Sequence, residues 1–294
     1  MAVGTRLRDN VEGYLFIAPA LFGFLVFMVY PIVASFTMGL FQWSLTGKAT
    51  YVGFANFAEL ARDEIFWISI KNTAKWVVAY VPLSLALAFV LANAMDKPMR
   101  GIIAYRTIFY LPSVSPLISV ALLFVWLYNR DFGLLNHLLS LAGIAPIGWL
   151  TDPKVSIYSV CLMYLYKEVG YNILILLAAM QGIPRQLYEA AEMDGVRGFR
   201  RLWYVKLPLL TPAFYYIAII ALIYAFQVFT EIYVMTRGGP GNSTYTLGYY
   251  IYQNAFQYGR MGYASAQAVV LFLAILAVTL AQTKFLGKKV QYDL

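Results

Sequence analysis

The chain has 294 residues, of which 61% are hydrophobic and only 12% are charged. That charged share is about half of the share in typical soluble domains, which argues against a soluble globular protein of this size. The formal net charge of +8 would by itself be compatible with nucleic-acid binding, but in so apolar a chain it is better explained by the orientation of membrane loops.

Six apolar runs are long enough to cross a bilayer, whose core of about 30 Å requires roughly 20 apolar residues per helix. They lie at about residues 14–41, 70–95, 107–128, 155–180, 213–235 and 264–286. The first run is much longer than the apolar part of a signal peptide, so we expect it to be a retained span. The runs lack period-two alternation and are longer than barrel strands. The sequence therefore predicts an all-α membrane protein with six transmembrane helices and a single domain over residues 1–294.

Basic residues are distributed unevenly between the two sides of the predicted bundle. With the amino terminus inside, the inner segments carry thirteen Lys and Arg residues, including Lys284, Lys288 and Lys289, and the outer segments carry six. The positive-inside rule therefore predicts that both termini are cytoplasmic, together with the polar segment at residues 183–212.

Prolines in the first and third spans remove backbone hydrogen bonds from the helix. A kink is expected near Tyr30 and Pro31 in the first span. In the third span, the cluster at residues 112–116 predicts an irregular or broken first turn. Between the third and fourth spans, residues 133–139 predict a short amphipathic helix on the outer surface.

The sequence shows no pattern typical of a cofactor site, a metal site or an active site. Cys161 is the single cysteine and His137 the single histidine, so neither an intrachain disulfide nor a multi-histidine metal site is expected. The phosphate-binding pattern GxxxxGK[ST] is absent, as are a nucleophile triad and paired carboxylates with a histidine. We therefore predict that the chain is not an enzyme, has no cofactor and does not itself hydrolyse ATP.

Polar residues in the fourth and fifth spans are candidates for a functional role. Lys167 and Glu168 lie near the middle of the fourth run, where each charge costs on the order of 2.5–3.5 kcal/mol. Neighbouring residues point in different directions on a helix, so we do not expect these two to neutralise each other. Gln227 is expected to be buried, whereas Glu231 lies about 27 Å along the helix from Ala213, near the outer surface. Helix-to-helix hydrogen bonding and substrate contact are both open for these positions.

The segment at residues 183–212 is the most polar stretch between two long apolar runs. Pro184 suits the first turn of a helix, the residues up to Asp194 are good helix formers, and Gly195 can take the left-handed terminating conformation. A second helical segment at residues 199–206 stops at Pro208. The local prediction is a helix, a turn and a helix, although composition alone is also compatible with a simple charged loop.

The motif in this segment resembles that of a known family. Its spacing of Glu-Ala-Ala, two residues, Asp-Gly, then Leu-Pro and Pro resembles the EAA loop of the membrane-spanning permease subunits of binding-protein-dependent ABC importers. That family usually has Ala where this chain has Val196, and often an aromatic residue where it has Leu202. The loop around Gly238-Gly239-Pro240 and the pair Tyr30-Pro31 are similar to the carbohydrate-uptake branch, which includes maltose and glycerol-3-phosphate permeases.

The resemblance implies a type I ABC importer permease fold in the prokaryotic plasma (inner) membrane. The implied partners are a second homologous permease subunit, two ATP-binding subunits and an extracytoplasmic solute-binding protein that delivers a sugar or oligosaccharide. The short helix would dock into a cleft of the ATPase subunit and transmit its closure. The implied ATPase-coupling residues are Glu189, Ala190, Ala191, Asp194, Gly195, Leu207 and Pro208.

The resemblance also places a substrate path on the spans before and after this loop. Some positions follow from matching the chain to maltose-type relatives, and others are aromatic and amide side chains nearby that suit contact with a sugar. The expected substrate-path residues are Tyr166, Gly170, Tyr171, Asn172, Ile173, Tyr224, Gln227 and Val228.

Two other functions remain open on the sequence. The chain could be a secondary transporter driven by an ion gradient through Lys167, Glu168 and Glu231. It could also be a membrane scaffold without transport activity, which would tolerate changes of polar residues to alanine in the fourth and fifth spans.

Overall fold

The structure is a computed structural model that describes residues 2–44, 47–97 and 100–287. Two of the basic residues in the orientation count, Lys288 and Lys289, lie outside the described residues.

The described chain is mostly helical. Its first half contains α1 (Ala2–Phe24), a π-helical turn (Leu25–Val29), α2 (Tyr30–Met38), β1 (Phe41–Gln42), β2 (Thr50–Tyr51), α3 (Ala55–Arg62), α4 (Glu64–Met95), α5 (Ile102–Val114), α6 (Leu117–Leu127) and α7 (Leu134–Leu141). Its second half contains α8 (Ser156–Gln181), α9 (Arg185–Met193), α10 (Phe199–Arg201), a π-helical turn (Leu202–Lys206), α11 (Leu207–Leu209), α12 (Thr211–Phe226), α13 (Thr230–Met235), α14 (Leu247–Tyr252), a π-helical turn (Gln253–Gln257) and α15 (Met261–Leu286).

The chain divides into two compact units, the first formed by Met1–Asp63 and Ile251–Val270 and the second by Glu64–Tyr250 and Leu271–Leu294. In the first unit, β1 and β2 pair antiparallel, with Phe41 opposite Tyr51. The buried Asn56 side chain donates to the carbonyls of Gly39 and Phe41 at 2.9 and 3.0 Å. These bonds hold α3 against the strand that follows α2.

The second unit is built around α8, whose side chains are the most buried of the long helices. Gly170 lies where α8 meets α5, because a Cβ atom added there would be 2.2 Å from the Phe109 carbonyl oxygen. On another side of α8, the Tyr164 ring packs against the rings of Trp76 and Tyr80 from α4, with centroids 5.8 and 4.9 Å away. Close packing of this kind is how membrane helices associate without a hydrophobic driving force between them.

Four helices are long and apolar enough to cross a membrane, namely Gly13–Met38, Glu64–Met95, Ser156–Gln181 and Met261–Phe285. Two bent helix pairs, Ile102–Val114 with Leu117–Leu127 and Phe199–Leu209 with Thr211–Phe226, raise the number to six if each pair is one span. The prediction of a multi-pass helical membrane protein is therefore confirmed, with four to six candidate spans.

The helices of the first and third runs are irregular near the prolines that the sequence analysis singled out. In the first, a π-helical turn directly precedes Tyr30, whose N–H bonds to the Leu25 carbonyl, so the helix is irregular next to the position at which a kink was expected. In the third, the break expected from residues 112–116 is confirmed, because α5 ends at Val114 and meets α6 at 100°. It lies in the middle of the run and not in its first turn, since α5 already begins at Ile102. Pro116 disfavours the helical conformation for the residue before it, and Ser115 accordingly has ψ of 143°.

The fifth run is interrupted where a continuous helix was expected. Helix α12 ends at Phe226 and α13 begins at Thr230, so helical spacing from Tyr224 no longer predicts which side chains share a face. As a result Gln227 is exposed, whereas Glu231 is only 4% exposed, the reverse of what the sequence suggested.

Candidate functional site

Helix α9 has the two defined ends that the sequence predicted. Pro184 directly precedes it with φ of −59°, and Gly195 follows it with φ of +75°. The Gly195 N–H bonds to the Glu192 carbonyl at 3.1 Å, and the Val196 N–H bonds to the Ala191 carbonyl at 2.8 Å. This pair of bonds is a Schellman motif, which requires the left-handed conformation that glycine takes at low cost.

The helix has an inner and an outer face. Ala191 is buried and Tyr188 is partly buried, whereas Glu189, Ala190 and Met193 are exposed, with Met193 at 89%. Residues three apart lie on one side of a helix, so Tyr188 and Ala191 share the inner face. The outer face of α9 therefore carries an acidic side chain and a small one beside an exposed methionine, with no covering element in the described chain.

Lys206 fastens this segment to the end of α4. Its ammonium Nζ lies 2.6 Å from Asp96 Oδ2 and 2.9 Å from Asn93 Oδ1. The Lys206 and Asp96 side chains are only 11% and 18% exposed. Charge-assisted hydrogen bonds in so little solvent are stronger than surface pairs, so Lys206 is a structural brace.

A second, weaker contact holds α9 against the segment after it. The Arg201 guanidinium donates to Glu192 Oε1 at 3.1 Å and lies 5.5 Å from the centre of the Tyr188 ring. Burial raises the pKa of the Tyr188 hydroxyl, with Asp96 adding to the rise and Arg201 opposing it. Glu192 thus has an ion-pair partner within the segment.

The two other predicted coupling residues, Leu207 and Pro208, lie in the short helix α11. The Pro208 carbonyl accepts a hydrogen bond from the Thr211 hydroxyl at 2.7 Å, and the Leu210 N–H bonds to the Lys206 carbonyl at 3.0 Å. Both residues are half-buried. They form the corner at which the chain turns by 67° into α12.

A cavity of about 350 Å³ lies between α4, α8 and α12. Its lining combines tyrosine rings with one carboxylate and one amide. The lining residues are Tyr80, Tyr164, Glu168, Tyr171, Asn172, Tyr216, Ile220, Ala221 and Tyr224. Phenol rings with nearby hydrogen-bonding groups are suited to a ligand that has both apolar faces and hydroxyl groups.

The structure brings three of the expected substrate-path residues, Tyr171, Asn172 and Tyr224, to this cavity. The other five lie elsewhere. Gly170 packs on α5, Ile173 and Val228 are 1% and 3% exposed, and Tyr166 and Gln227 are exposed away from the cavity lining.

Sequence reasoning missed three aromatic lining residues, Tyr80, Tyr164 and Tyr216, whereas it had left substrate contact open for Glu168. A signal was present in the spacing, because Tyr164, Glu168 and Tyr171 follow at i, i+4 and i+7 on α8. Tyr216 and Tyr224 are likewise eight residues apart on α12. The face of Tyr166, Gly170 and Ile173 has the same spacing, and only the packing of α8 distinguishes the two faces.

Lys167 and Glu168 form an ion pair, with Nζ 2.6 Å from Oε1, so the expectation that they would not neutralise each other is wrong. Both side chains are long enough to bend around the helix toward each other, which Cβ directions alone do not show. Lys167 also approaches the Ser113 carbonyl at 3.4 Å, while the Ser113 hydroxyl donates to the Lys167 carbonyl at 2.8 Å. The pair is thereby held against α5.

The fold and the braced polar segment define a multi-pass membrane protein that presents a short, rigid helix outside its long apolar helices. Residues 81–292 match the family described as the binding-protein-dependent transport system inner membrane component. The chain belongs to this family, and it is an ABC importer permease, as the EAA-like motif indicated.

Relatives of similar length support this membership. The probable ABC transporter permease protein YesP of Bacillus subtilis is 35% identical over 291 residues, covering 97% of this chain and 94% of the relative. The lactose transport system permease protein LacF of Rhizobium radiobacter is 36% identical over 282 residues, covering 93% of each chain. The sn-glycerol-3-phosphate transport system permease protein UgpA of Agrobacterium fabrum is 33% identical over 289 residues and covers 97% of each.

Solved structures share the fold. A chain of a bacterial ABC transporter involved in the import of the acidic polysaccharide alginate has a TM-score of 0.86 at 23% identity, covering 99% of this chain and 100% of its own. A chain of the alginate transporter in complex with an alginate pentasaccharide-bound periplasmic protein has a TM-score of 0.87, with full coverage of both chains. At this identity the similarity concerns the fold, and it agrees with the predicted importer permease architecture.

Proposed function

We propose that the chain forms, with a second homologous permease subunit, the path by which an ATP-driven importer passes a sugar or oligosaccharide. An external solute-binding protein delivers the sugar. The relative named for lactose transport supports the substrate class, as does the tyrosine-rich cavity between α4, α8 and α12. Tyr171, Asn172 and Tyr224 are the proposed sugar contacts.

The remaining expected path residues take supporting places in this proposal. Tyr166 and Gln227, which are exposed, are assigned to the seam with the second permease subunit. Gly170, Ile173 and Val228 are assigned to the packing that fixes the position of α8 and α12.

The proposed topology is a single transmembrane domain over residues 1–294 with six spans in the inner membrane and both termini in the cytoplasm. The bent pair α5 and α6 is the third span, and α12 with α13 forms the interrupted fifth span. The excess of Lys and Arg in the inner segments supports this orientation. It places the segment at residues 183–212 in the cytoplasm.

The observation that supports coupling is the contrast between the two faces of α9. Its inner face is anchored through Ala191 and through the nearby Lys206 brace, while its outer face is exposed at Glu189 and Ala190. A helix held at its base and free at its surface can transmit a displacement from a docked partner. We assign this docking to a separate ATP-hydrolysing subunit, of which two copies serve the two permease subunits. The proposed coupling residues are Glu189, Ala190, Ala191, Asp194, Gly195, Leu207 and Pro208.

The test uses the complete transporter reconstituted with its ATPase subunits and binding protein. Glu189→Ala removes the exposed carboxylate, and Gly195→Ala imposes a side chain on a backbone with φ of +75°, where no atom lies within 4 Å and the cost of about 1–2 kcal/mol is purely conformational. We expect both variants to insert normally and to lose ATP-driven sugar uptake. The control is Gly182→Ala, at φ of −75° with no atom closer than 3.4 Å.

Normal uptake in both variants would contradict the assignment of α9. Uptake that follows an ion gradient and is indifferent to ATP would contradict the proposed function as a whole.

A further inference from the structure

Two cavities with a common wall lie between the end of α4 and the segment at residues 183–212. The first, of about 730 Å³, has four basic side chains in its lining, Lys97, Arg185, Arg201 and Lys206, and is called the polar cavity below. The second, of about 390 Å³, is a groove with apolar walls. It is lined by Pro82, Leu85, Ala86, Phe89, Phe199, Leu202, Trp203, Leu207 and Phe214. Phe199 and Leu202 line both cavities, so the polar and apolar spaces adjoin.

The polar cavity has an excess of positive charge. Lys206 is neutralised by Asp96, the one carboxylate among the described lining residues, at 2.6 Å. Arg201 is engaged by Glu192 at 3.1 Å. Lys97 and Arg185 are exposed and have no ion pair within the described residues. The cavity therefore offers two available cations, next to an apolar groove.

The distance along α4 from the helix end to the far end of the groove is comparable to the thickness of one leaflet of a bilayer. The groove residues on α4 run from Phe89 to Pro82, and Pro82 lies thirteen residues from Met95 at the helix end. At 1.5 Å per residue this is about 20 Å, against about 15 Å for half of the hydrocarbon core. An acyl chain that begins at the polar cavity would extend along the groove.

We propose that the paired cavities bind an anionic phospholipid, with its phosphate at Lys97 and Arg185 and an acyl chain in the groove beside Phe89 and Trp203. The proposal rests on the cytoplasmic placement of residues 183–212 in the proposed function. Basic pockets beside helices at the cytoplasmic side of a membrane bind anionic headgroups. A protein helix could fill the groove, but it would leave the two cations without a counter-charge.

The bound lipid would lie on the inner side of α9. Arg185 begins this helix and Tyr188 lies on its inner face, and both line the polar cavity. A headgroup between these residues and Lys97 would add a tie between α9 and the end of α4, parallel to the Lys206 brace. Anionic lipid is then expected to strengthen the transmission of ATP-driven motion from α9 to the long helices.

The experiment measures the quenching of Trp203 fluorescence by lipids with brominated acyl chains. Trp203 lines the groove and is 57% exposed, and its share of the signal is obtained by difference from a Trp203→Phe variant. The complete transporter is placed in nanodiscs that contain brominated phosphatidylglycerol or brominated phosphatidylcholine at equal mole fraction. We expect stronger quenching by the anionic lipid.

Variants test the headgroup contact. Each basic side chain near an anionic lipid contributes about fivefold in affinity, so the double variant Lys97→Gln and Arg185→Gln should weaken the preference for phosphatidylglycerol by about 25-fold. The matched control is Arg197→Gln with Arg200→Gln, which removes two exposed cations of the same segment that line neither cavity. We expect the control to keep the preference.

Three results of the quenching experiment, and one of the uptake assay, would overturn the proposal. Equal quenching of Trp203 by both lipids would mean bulk lipid contact without headgroup selection. Absence of quenching by either lipid would mean that a protein segment covers the groove. Displacement of brominated phosphatidylglycerol by inorganic phosphate would assign the cations to a soluble anion. ATP-driven uptake that persists without lipid preference would overturn this inference alone, whereas loss of ATP dependence would overturn the proposed function.

Discussion

The Lys206 ammonium lies 2.6 Å from the Asp96 carboxylate, and this contact joins the segment that carries α9 to the end of α4, 110 residues earlier in the chain. Both side chains are largely buried. An ion pair that is nearly dry and reinforced by Asn93 at 2.9 Å restrains the base of α9. In the proposed function, motion imposed on α9 would reach α4 through this contact.

Removing one partner of this pair should destabilise the protein more than removing both. Lys206→Met leaves the Asp96 carboxylate buried without a counter-charge, which we expect to cost about 2–3 kcal/mol, whereas Lys206→Met with Asp96→Leu should recover most of that loss. Thermal unfolding of the purified transporter gives the comparison. The exposed pair of Arg201 and Glu192 is the control, since either single change should cost less than about 1 kcal/mol. Equal losses at the two pairs would contradict the role of Lys206 as a brace.

Gly170→Ala should disrupt the packing of α8 on α5. The added methyl group would lie 2.2 Å from the Phe109 carbonyl oxygen and 2.9 Å from the Ser113 hydroxyl, and a backbone carbonyl cannot move aside without displacing its helix. Overpacking of this kind typically costs about 1–3 kcal/mol. We expect a lower yield of folded protein by size-exclusion chromatography. The control is Gly23→Ala, where no atom lies within 4 Å of the added group, and it should behave as the wild type. A normal yield for Gly170→Ala would show that α5 does not approach α8 this closely.

Tyrosine rings in the cavity should affect sugar affinity more than ATP hydrolysis. Tyr224→Ala and Tyr171→Ala each remove a ring that lines the cavity, and we expect about a tenfold rise in KM for uptake from the loss of about 1–1.5 kcal/mol of ring contact. Tyr224→Phe keeps the ring and should lose less. Tyr233→Ala, outside this lining, serves as the control in the same uptake assay. An unchanged KM in both alanine variants would remove these tyrosines from the proposed path.

The sequence predicted α9 well because local rules determine its ends. A proline before the helix and a glycine after it act through φ alone, and both act as expected at Pro184 and Gly195. The break between Phe226 and Thr230 was not predictable in this way. No proline or glycine occurs at residues 227–229, so tertiary packing must decide where α12 ends, and with it the burial of Glu231.

The cavity lining shows a second limit of sequence patterns. Helix α8 is apolar on several sides, so periodicity favours the face of Tyr166, Gly170 and Ile173 as much as that of Tyr164, Glu168 and Tyr171. Only the close approach of α5 to Gly170 decides between them. The ion pair of Lys167 and Glu168 was missed for a related reason, because side-chain flexibility is not visible in residue spacing.

The claim on which the account depends most is that the outer face of α9 docks on an ATP-hydrolysing subunit in the cytoplasm. Met193→Cys tests it, because Met193 is 89% exposed on α9 and the single native cysteine, Cys161, can be replaced by serine. In the complete transporter, a short bifunctional thiol reagent is applied to this variant and to an ATPase subunit that carries an introduced surface cysteine. We expect the reagent to join the two cysteines and to give one adduct whose mass is the sum of the two subunits. We expect the yield of this adduct to change with the bound nucleotide. Labelling of the cysteine at position 193 from outside the cell by a membrane-impermeant reagent, with no such adduct, would contradict the account.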